Sequence, residues 1–367
     1  MSPPKTSTPL SQLLPPLILG GAGFSHQVFR NPTSAQALQV LKRAFQLGLR
    51  AIDTSAYYHP SELVLGDALS HPELADNYSR DQYLLMTKVG RITATQFDYS
   101  PAWVRQSVLR SLQRLRTSYL DVVFCHDVEF VPVDEVMAAI GVLFDMVHEG
   151  HVRFVGISGY RIDILARIAR RVQEKHSRPL DIVQNWAQMT LQNDGLARDG
   201  LSAFQEAGVS CVCNSSPLAI GLLRANGVPI GDLGDFHPAP QGLRQVVKDA
   251  AKYVADRGES LAALALRYSI RRAQSLSTDD FRITTIMGVT SIDELEDNLA
   301  TARQVLKISN EQRWLWSSAE ISTIKREDDN NLSLAVQNIL GTWHGYCFPS
   351  PGDGWDVTKK RPIPARL

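Results

Sequence analysis

The sequence predicts an α/β protein built as one (β/α)8 TIM barrel with a C-terminal extension. Three observations carry that prediction. Short, apolar, β-rich runs alternate with longer amphipathic segments; the runs number eight; and they span roughly 300 of the 367 residues, the size of such a barrel. Parallel strands need long crossovers, usually helices, which is what the alternation supplies. An open, doubly wound sheet is the structural rival.

The strand runs are 17–21 (LILGG), 49–53 (LRAID), 83–88 (YLLMTK), 120–125 (LDVVFC), 152–157 (VRFVGI), 181–184 (DIVQ), 209–213 (VSCVC) and 283–287 (ITTIM). Helical patterns occupy 34–47, 101–115, 133–149, 162–175, 200–206 and 241–257, several closed by a glycine such as Gly48, Gly150 or Gly208. Gly20, Gly21 and Gly23 after the first run superficially suggest a dinucleotide-binding glycine loop. That fingerprint wants a glycine at position 26, where His26 stands. These glycines are read instead as letting the first strand-end loop approach a ligand closely.

Two segments depart from the rhythm. Residues 271–282 (RRAQSLSTDDFR) read as a polar insertion before the last strand, and 308–367 continue past a barrel placed at 12–307. With Trp314, Trp316, Trp343, Tyr346, Phe348 and Trp355, the extension is too aromatic for a disordered tail. It either packs on the barrel exterior or covers the mouth.

Lysine plus arginine and aspartate plus glutamate balance at 38 each, so no net field draws the chain toward nucleic acid, anionic lipid or a polyanionic substrate. A small, largely neutral ligand fits better. Cys125, Cys211, Cys213 and Cys347 are too few and too scattered for a disulfide framework, and are read as reduced structural thiols with no metal site. The opening MSPPKTSTPL has neither a signal-type apolar core nor an Arg-rich pattern, and no apolar stretch approaches ~18 residues. The expectation is a soluble, cytoplasmic protein with no membrane or nucleic-acid partner; its oligomeric state stays open.

Asp53, Lys88 and His126 end three successive strand runs, a position that faces the shared mouth of a barrel. Singly, each has a plain explanation as a cap or a core residue; three on consecutive strands do not. Tyr58 follows Asp53 in DTSAYYHPSE and can fold back over the mouth. A phenol has an ordinary pKa of ~10, so it needs help to exchange a proton near neutrality. A Lys88 ammonium, held charged by Asp53, would favour phenolate and make Tyr58 a general acid/base.

In order, DTSAYYHPSE, TKVGR, LDVVFCHD and VRFVGISGY resemble the aldo-keto reductase superfamily, from about residue 17 to 298. The resemblance implies the (β/α)8 barrel and a catalytic tetrad of Asp53, Tyr58, Lys88 and His126, with Tyr58 as the proton donor. It also implies a nicotinamide cofactor. Ser158 and Gln184 match positions that hold the carboxamide. The run 215–223 (SSPLAIGLL), with Ser215, Ser216, Leu218, Gly221 and Leu223, matches the loop that clasps the pyrophosphate. The run 288–298 (GVTSIDELEDN), with Gly288, Thr290, Glu294, Asp297 and Asn298, matches the segment that receives adenosine, and Gly21 joins the cofactor set from the first loop. Turn and cap roles are the alternative for each. Two departures put the nicotinamide contacts in doubt: Gly159 stands where many relatives have Asn, and Ser215 where they have an aromatic.

Relatives that use NADPH commonly supply Lys or Arg in the adenosine segment. Between Thr284 and Ala302 this chain has none and places Asp293, Glu294, Glu296 and Asp297 there, which favours NAD, although a solvated helix start would look the same. GISG, NSSPL and the uncharged loop after the last strand look most like the L-galactose dehydrogenase and D-arabinose 1-dehydrogenase branch. That branch implies oxidation of the anomeric hydroxyl of an aldose to a lactone, a step toward ascorbate or erythroascorbate, with Tyr58 as base and His126 orienting the substrate. Asn185, Gln188, Asp127 and His26 are candidate partners for sugar hydroxyls, and Trp103, Phe24 and Trp186 candidate stacking surfaces. An NADPH-dependent aldehyde or ketone reductase, and a cofactor-sensing subunit like the channel β-subunits that resemble the same superfamily, are the other readings.

Overall fold

The computed structural model describes residues 8–224, 227–228, 237–307, 320–321 and 325–362, with only the backbone of 320–321 and 361–362. Eight parallel strands close into a ring: β1 Leu17–Gly20, β2 Ala51–Asp53, β3 Leu84–Val89, β4 Leu120–Cys125, β5 Val152–Gly159, β6 Ile182–Trp186, β7 Cys211–Ser215 and β8 Arg282–Gly288. Each pairs with the next, and β8 returns to β1 with Leu17 opposite Thr285 and Gly20 opposite Gly288. The doubly wound alternative is therefore excluded. β2 and β7 start two residues later than the apolar runs, because the residues after Gly48 and Gly208 are spent turning out of a helix. Both glycines sit at positive φ.

The helices are α1 Leu10–Leu13, α2 Ser34–Gln46, α3 Ser61–Leu69, α4 Pro72–Ala75, α5 Pro101–Arg114, α6 Val133–His148, α7 Ile162–His176, α8 Leu201–Glu206, α9 Gln241–Ala255, α10 Leu261–Leu276, α11 Ile292–Arg303 and α12 Arg326–Leu340. Thr33, Ser100, Ser260 and Ser291 each accept an N–H from the first turn of the helix they precede. The supposed polar insertion at 271–282 is corrected: residues 271–276 are the last turns of α10, where Ala273 and Gln274 are buried, and only 277–281 form a loop. Its charges are the outer face of an amphipathic helix. Among the described residues no helix is long and apolar enough to cross a membrane.

Successive strand residues face opposite sides, and here the two sides are two cores. Ile18, Ala51, Leu84, Met86, Val122, Phe124, Ile182, Cys211, Cys213 and Ile286 fill the ring, while Leu10 and Leu14 join them. Hydrogen bonds from Arg282 to the Ser11 carbonyl and from Thr284 to the Pro15 carbonyl hold that N-terminal segment beneath β8. The alternate residues, such as Leu19, Ile52, Leu85, Val123, Val155, Val183 and Ile283, pack outward against the helices.

Of the aromatic residues of the C-terminal extension, Trp314 and Trp316 lie outside the described residues. Helix α12 packs outside the ring against α9 and α10, where buried Arg267 donates to Asp329 at 2.7–3.0 Å and to Glu259 at 3.1 Å. The chain then crosses the strand-end loops. Gln192 donates to the carbonyls of Trp343 and Tyr346, Phe348 N–H to the Tyr160 hydroxyl, Ser350 to Glu129, and Trp355 to the Phe130 carbonyl.

Gly66 fixes the approach of α3 to α5: a Cβ there would lie 1.9 Å from the Arg114 carbonyl oxygen. Gly66→Ala must push two helices apart, and we expect a loss of roughly 2–4 kcal/mol in urea unfolding, from overpacking.

Candidate active site

The inward phase of the strands, continued one step past the packed interior, supplies the site. Ala51 leads to Asp53, Met86 to Lys88, Phe124 to His126, Gly156 to Ser158, Ile182 to Gln184 and Cys213 to Ser215. All six of these end residues are buried. The out-of-phase neighbours Asp127, Gly159, Asn185 and Asn214 belong instead to the packing of the rim.

Lys88 Nζ donates to Asp53 Oδ2 at 2.6 Å and to the Thr54 carbonyl at 2.9 Å, with both side chains almost fully buried. Burial pushes the Asp53 carboxyl up while Lys88 draws it back. For Lys88 burial acts downward, but Asp53 and Tyr58 outweigh it and hold the ammonium above its ordinary value. The short contact and the retained lysine proton describe an ion pair at neutral pH. Breaking one partner would strand a buried charge, at a cost of about 3–5 kcal/mol.

The Tyr58 ring stands with its centroid 5.1 Å from Lys88 Nζ and edge-on to His126, centroids 5.7 Å apart. Lys88 lowers its pKa, as the sequence suggested, but burial raises it further, so the phenol ends above its ordinary value. The ring keeps accessible surface, which moderates that push. Tyr58 rests in the protonated form. Burial also takes His126 down to about 3, leaving a neutral imidazole whose Nδ1 lies 3.0 Å from the Ser55 hydroxyl.

Several neighbours went unrecognised in the sequence. Arg91, the last residue of TKVGR, pairs with Asp127 and lies over the Tyr57 ring at 4.2 Å. Burial raises Asp127, yet the carboxyl ends below its usual value; with His126 neutral, Arg91 is the cation that matters. Tyr99 donates to the His126 carbonyl. The signal for Arg91 was present in the motif, but nothing in the sequence said that it faced an acid in the loop after the next strand.

The proposed cofactor residues fall in four places. Ser158 and Gln184 are adjacent partners across β5 and β6. Gln184 Nε2 reaches Asp53 at 3.4 Å and its Oε1 is buried without a partner, an open acceptor suited to an amide N–H. Ser215 ends β7, and the turn after it carries left-handed backbone at Ser216, Ala219 and Ile220, a strain typical of ligand-clasping loops, with Gly221 also at positive φ. Leu218 is half-buried there, and Leu223 is wholly buried in the core against α9 and α12, so its side chain meets protein.

Gly288 is exposed with open space where a Cβ would be. Glu294 folds back to accept from the Thr290 N–H and hydroxyl at 2.8 and 2.7 Å, Asn298 reaches the Gly288 carbonyl at 3.4 Å, and Asp297 is exposed. From α2, Gln36 meets the Thr290 carbonyl and Arg43 pairs with Glu296 at 2.6 Å, a cation beside the adenosine segment that the sequence reading missed.

The close approach expected at Gly21 is to protein: a Cβ there would stand 3.0–3.1 Å from Asp53, Leu65 and Ser61. Gly159 is likewise explained by packing, since Glu129 Oε2 occupies the space a side chain would need, 2.2 Å from the Cβ position. Burial raises the Glu129 carboxyl to about 7.

Among the candidate substrate contacts, Phe24 is core and Trp103 stacks with Arg110 on its own helix, at 4.9 Å. Asn185 is bound to the Gly159 and Tyr160 carbonyls and to Gln188. His26 is exposed beside His59, and half-buried Trp186 lies 4.5 Å from Tyr160.

The Aldo/keto reductase family profile matches residues 16–315. D-arabinose 1-dehydrogenase of Saccharomyces cerevisiae is 38% identical over 283 residues, covering 77% of this chain and 81% of the relative. L-galactose dehydrogenase of Arabidopsis thaliana is 32% identical over 298 residues, covering 80% and 86%. The solved holo form of an aldo-keto reductase from Bacillus halodurans superposes with a TM-score of 0.59 at 20% identity, covering 88% of this chain and 91% of that one, a likeness of fold.

A neutral buried His126 makes a pH prediction. The unfolded chain protonates this residue near pH 6.5, the folded one only near 3, so acid favours unfolding as pH falls below ~6.5, by at most ~1.4 kcal/mol per unit. Relative to the native protein, His126→Asn should gain on the order of 1–2 kcal/mol between pH 7 and 5 in urea titrations. An unchanged difference would mean that the folded protein protonates His126.

Proposed function

The chain belongs to the aldo/keto reductase family, and from that premise we propose that it is an NAD-dependent aldose 1-dehydrogenase. It oxidises the C1 hydroxyl of an aldose such as D-arabinose or L-galactose to the aldonolactone. The observation that carries the reading is Tyr58 set between a buried Lys88–Asp53 ion pair and a neutral imidazole, in a chain that aligns over most of its length with two sugar dehydrogenases.

The bound nicotinamide would supply the hydride acceptor, and the unpartnered Gln184 Oε1 beside Ser158 is the donor-and-acceptor pair a carboxamide requires. Tyr58 first gives its own proton to solvent, and the phenolate Oη then takes the C1 hydroxyl proton and becomes the phenol again. Because burial favours the phenol, the phenolate needs the Lys88 ammonium, and Asp53 keeps that ammonium charged and aimed. Neutral His126 holds the substrate oxygen by a hydrogen bond without competing for its proton. The acidic, lysine- and arginine-free stretch from Thr284 to Ala302 favours NAD over a 2′-phosphate carrier. Arg43, already paired with Glu296, does not reverse that balance. We place the enzyme in the cytoplasm, acting on free sugar.

A second reading has specific support: a phenol held protonated is ready to act as an acid, as carbonyl reduction with NADPH would require. Initial rates decide between them. Turnover of D-arabinose or L-galactose with NAD should exceed aldehyde reduction with NADPH, and a strong preference for NADPH overturns the proposal.

Tyr58→Phe should lower kcat by roughly 10²–10⁴-fold, the usual worth of a positioned acid/base, while NADH affinity stays within about twofold. Retained turnover would remove Tyr58 from the proton-transfer role.

A further inference from the structure

Although the chain as a whole is neutral, its cations are unevenly placed. Outside the barrel, between α10, α12 and the wide helical turn Leu196–Gly200 that follows β6, lies an open cavity of about 600 Å³. Arg198, Arg271, Arg272 and Arg326 line it against a single carboxylate, Asp194, with His344 at its edge.

The arginines are not equivalent. Arg271 is 12% exposed and gives one N–H to Asp329 at 2.9 Å, but both Asp329 oxygens are already engaged by Arg267. Its Nε and Nη2 are buried with no partner. Those two N–H groups are sealed from the cavity, so Arg271 contributes to it through the charge of its guanidinium, which the shared Asp329 neutralises only in part. Arg272 is held at 2.9 Å by Asp194, whose other oxygen is also without a partner, so one side of the wall is fixed in position. Arg198 and Arg326 are exposed at the rim, Arg198 turned to its neighbour Asp199, and Arg326 unpaired with any acid among the described residues. Hydroxyl and amide groups from Ser275, Asn330 and Gln337 complete the lining.

We propose that this cavity binds a small multivalent phosphate, of the charge and size of pyrophosphate or a sugar bisphosphate, at a site separate from the barrel mouth. Arg271 and Arg272 on α10 supply fixed positive charge, with the Nε/Nη2 edge of Arg272 already on Asp194, and the two rim arginines set the preference for more than one charge. Asp194 directly follows Gln192 and Asn193, which hold the Trp343–Tyr346 segment, so an occupant sits at the foot of the strap that crosses the strand-end loops.

Calorimetric titration of the full chain, saturated with NADH so that the cofactor's own phosphate place is filled, tests the proposal. Pyrophosphate should bind one to one and at least roughly tenfold more tightly than orthophosphate, and more weakly as salt is raised. The double substitution Arg198→Ala, Arg326→Ala should weaken pyrophosphate roughly tenfold or more while leaving thermal stability and basal turnover unchanged. Arg105→Ala, at a surface ion pair elsewhere, should leave it unaffected. No binding below about 10 mM, equal affinity for orthophosphate, or undiminished binding by the double variant overturns it; citrate binding as tightly as pyrophosphate would reject the phosphate class.

Discussion

A closed ring of eight parallel strands leaves each strand residue two choices, the axis or the helices, and that two-residue alternation underlies the rest of the molecule. Inward, it builds a core of Met86, Val122, Phe124, Ile182 and their neighbours. Carried one residue pair further, where the apolar filling stops, it delivers Asp53, Lys88, His126, Ser158 and Gln184 to one small volume. The core and the site are successive layers of the same stack, so the chemistry is as rigid as the packing beneath it.

Burial then acts on each of those groups in the direction that disfavours charge. His126 yields and becomes neutral; Lys88 does not, because Asp53 lies 2.6 Å away. Tyr58 stays a phenol despite the ammonium beside it. One desolvated volume thus holds a neutral hydrogen-bond donor, a fixed positive charge and a transferable proton, a division of roles that solvent-exposed copies of these residues would not keep.

The C-terminal extension uses the outside of the same scaffold. The buried Arg267–Asp329 pair fixes α12 to α10, and the following segment is tied across the ends of β4, β5 and β6 through Glu129, Tyr160 and Gln192. Gly159 belongs to this arrangement, since the absent side chain makes room for Glu129.

Much of this was legible in the sequence. Eight apolar runs of strand length, with glycine-terminated helical patterns between them, determine the barrel, and DTSAYYHPSE, TKVGR and LDVVFCHD place Asp53, Tyr58, Lys88 and His126 at its mouth, because strand periodicity and local caps are properties of neighbouring residues. The rest was set by partners far apart in the chain. The 271–282 stretch looked like a polar insertion until α12 and the β6 loop supplied acids for its arginines. Gly21 looked open to a ligand until Asp53, Leu65 and Ser61 filled the space beside it, and Gly159 looked like a lost nicotinamide contact until Glu129 filled the place of its side chain. The sense of Tyr58's shift depends on how much water the fold removes set against how close it brings Lys88. Contact across a barrel and loss of solvent exist only once the ring has closed, and for that reason only the tertiary structure decided them.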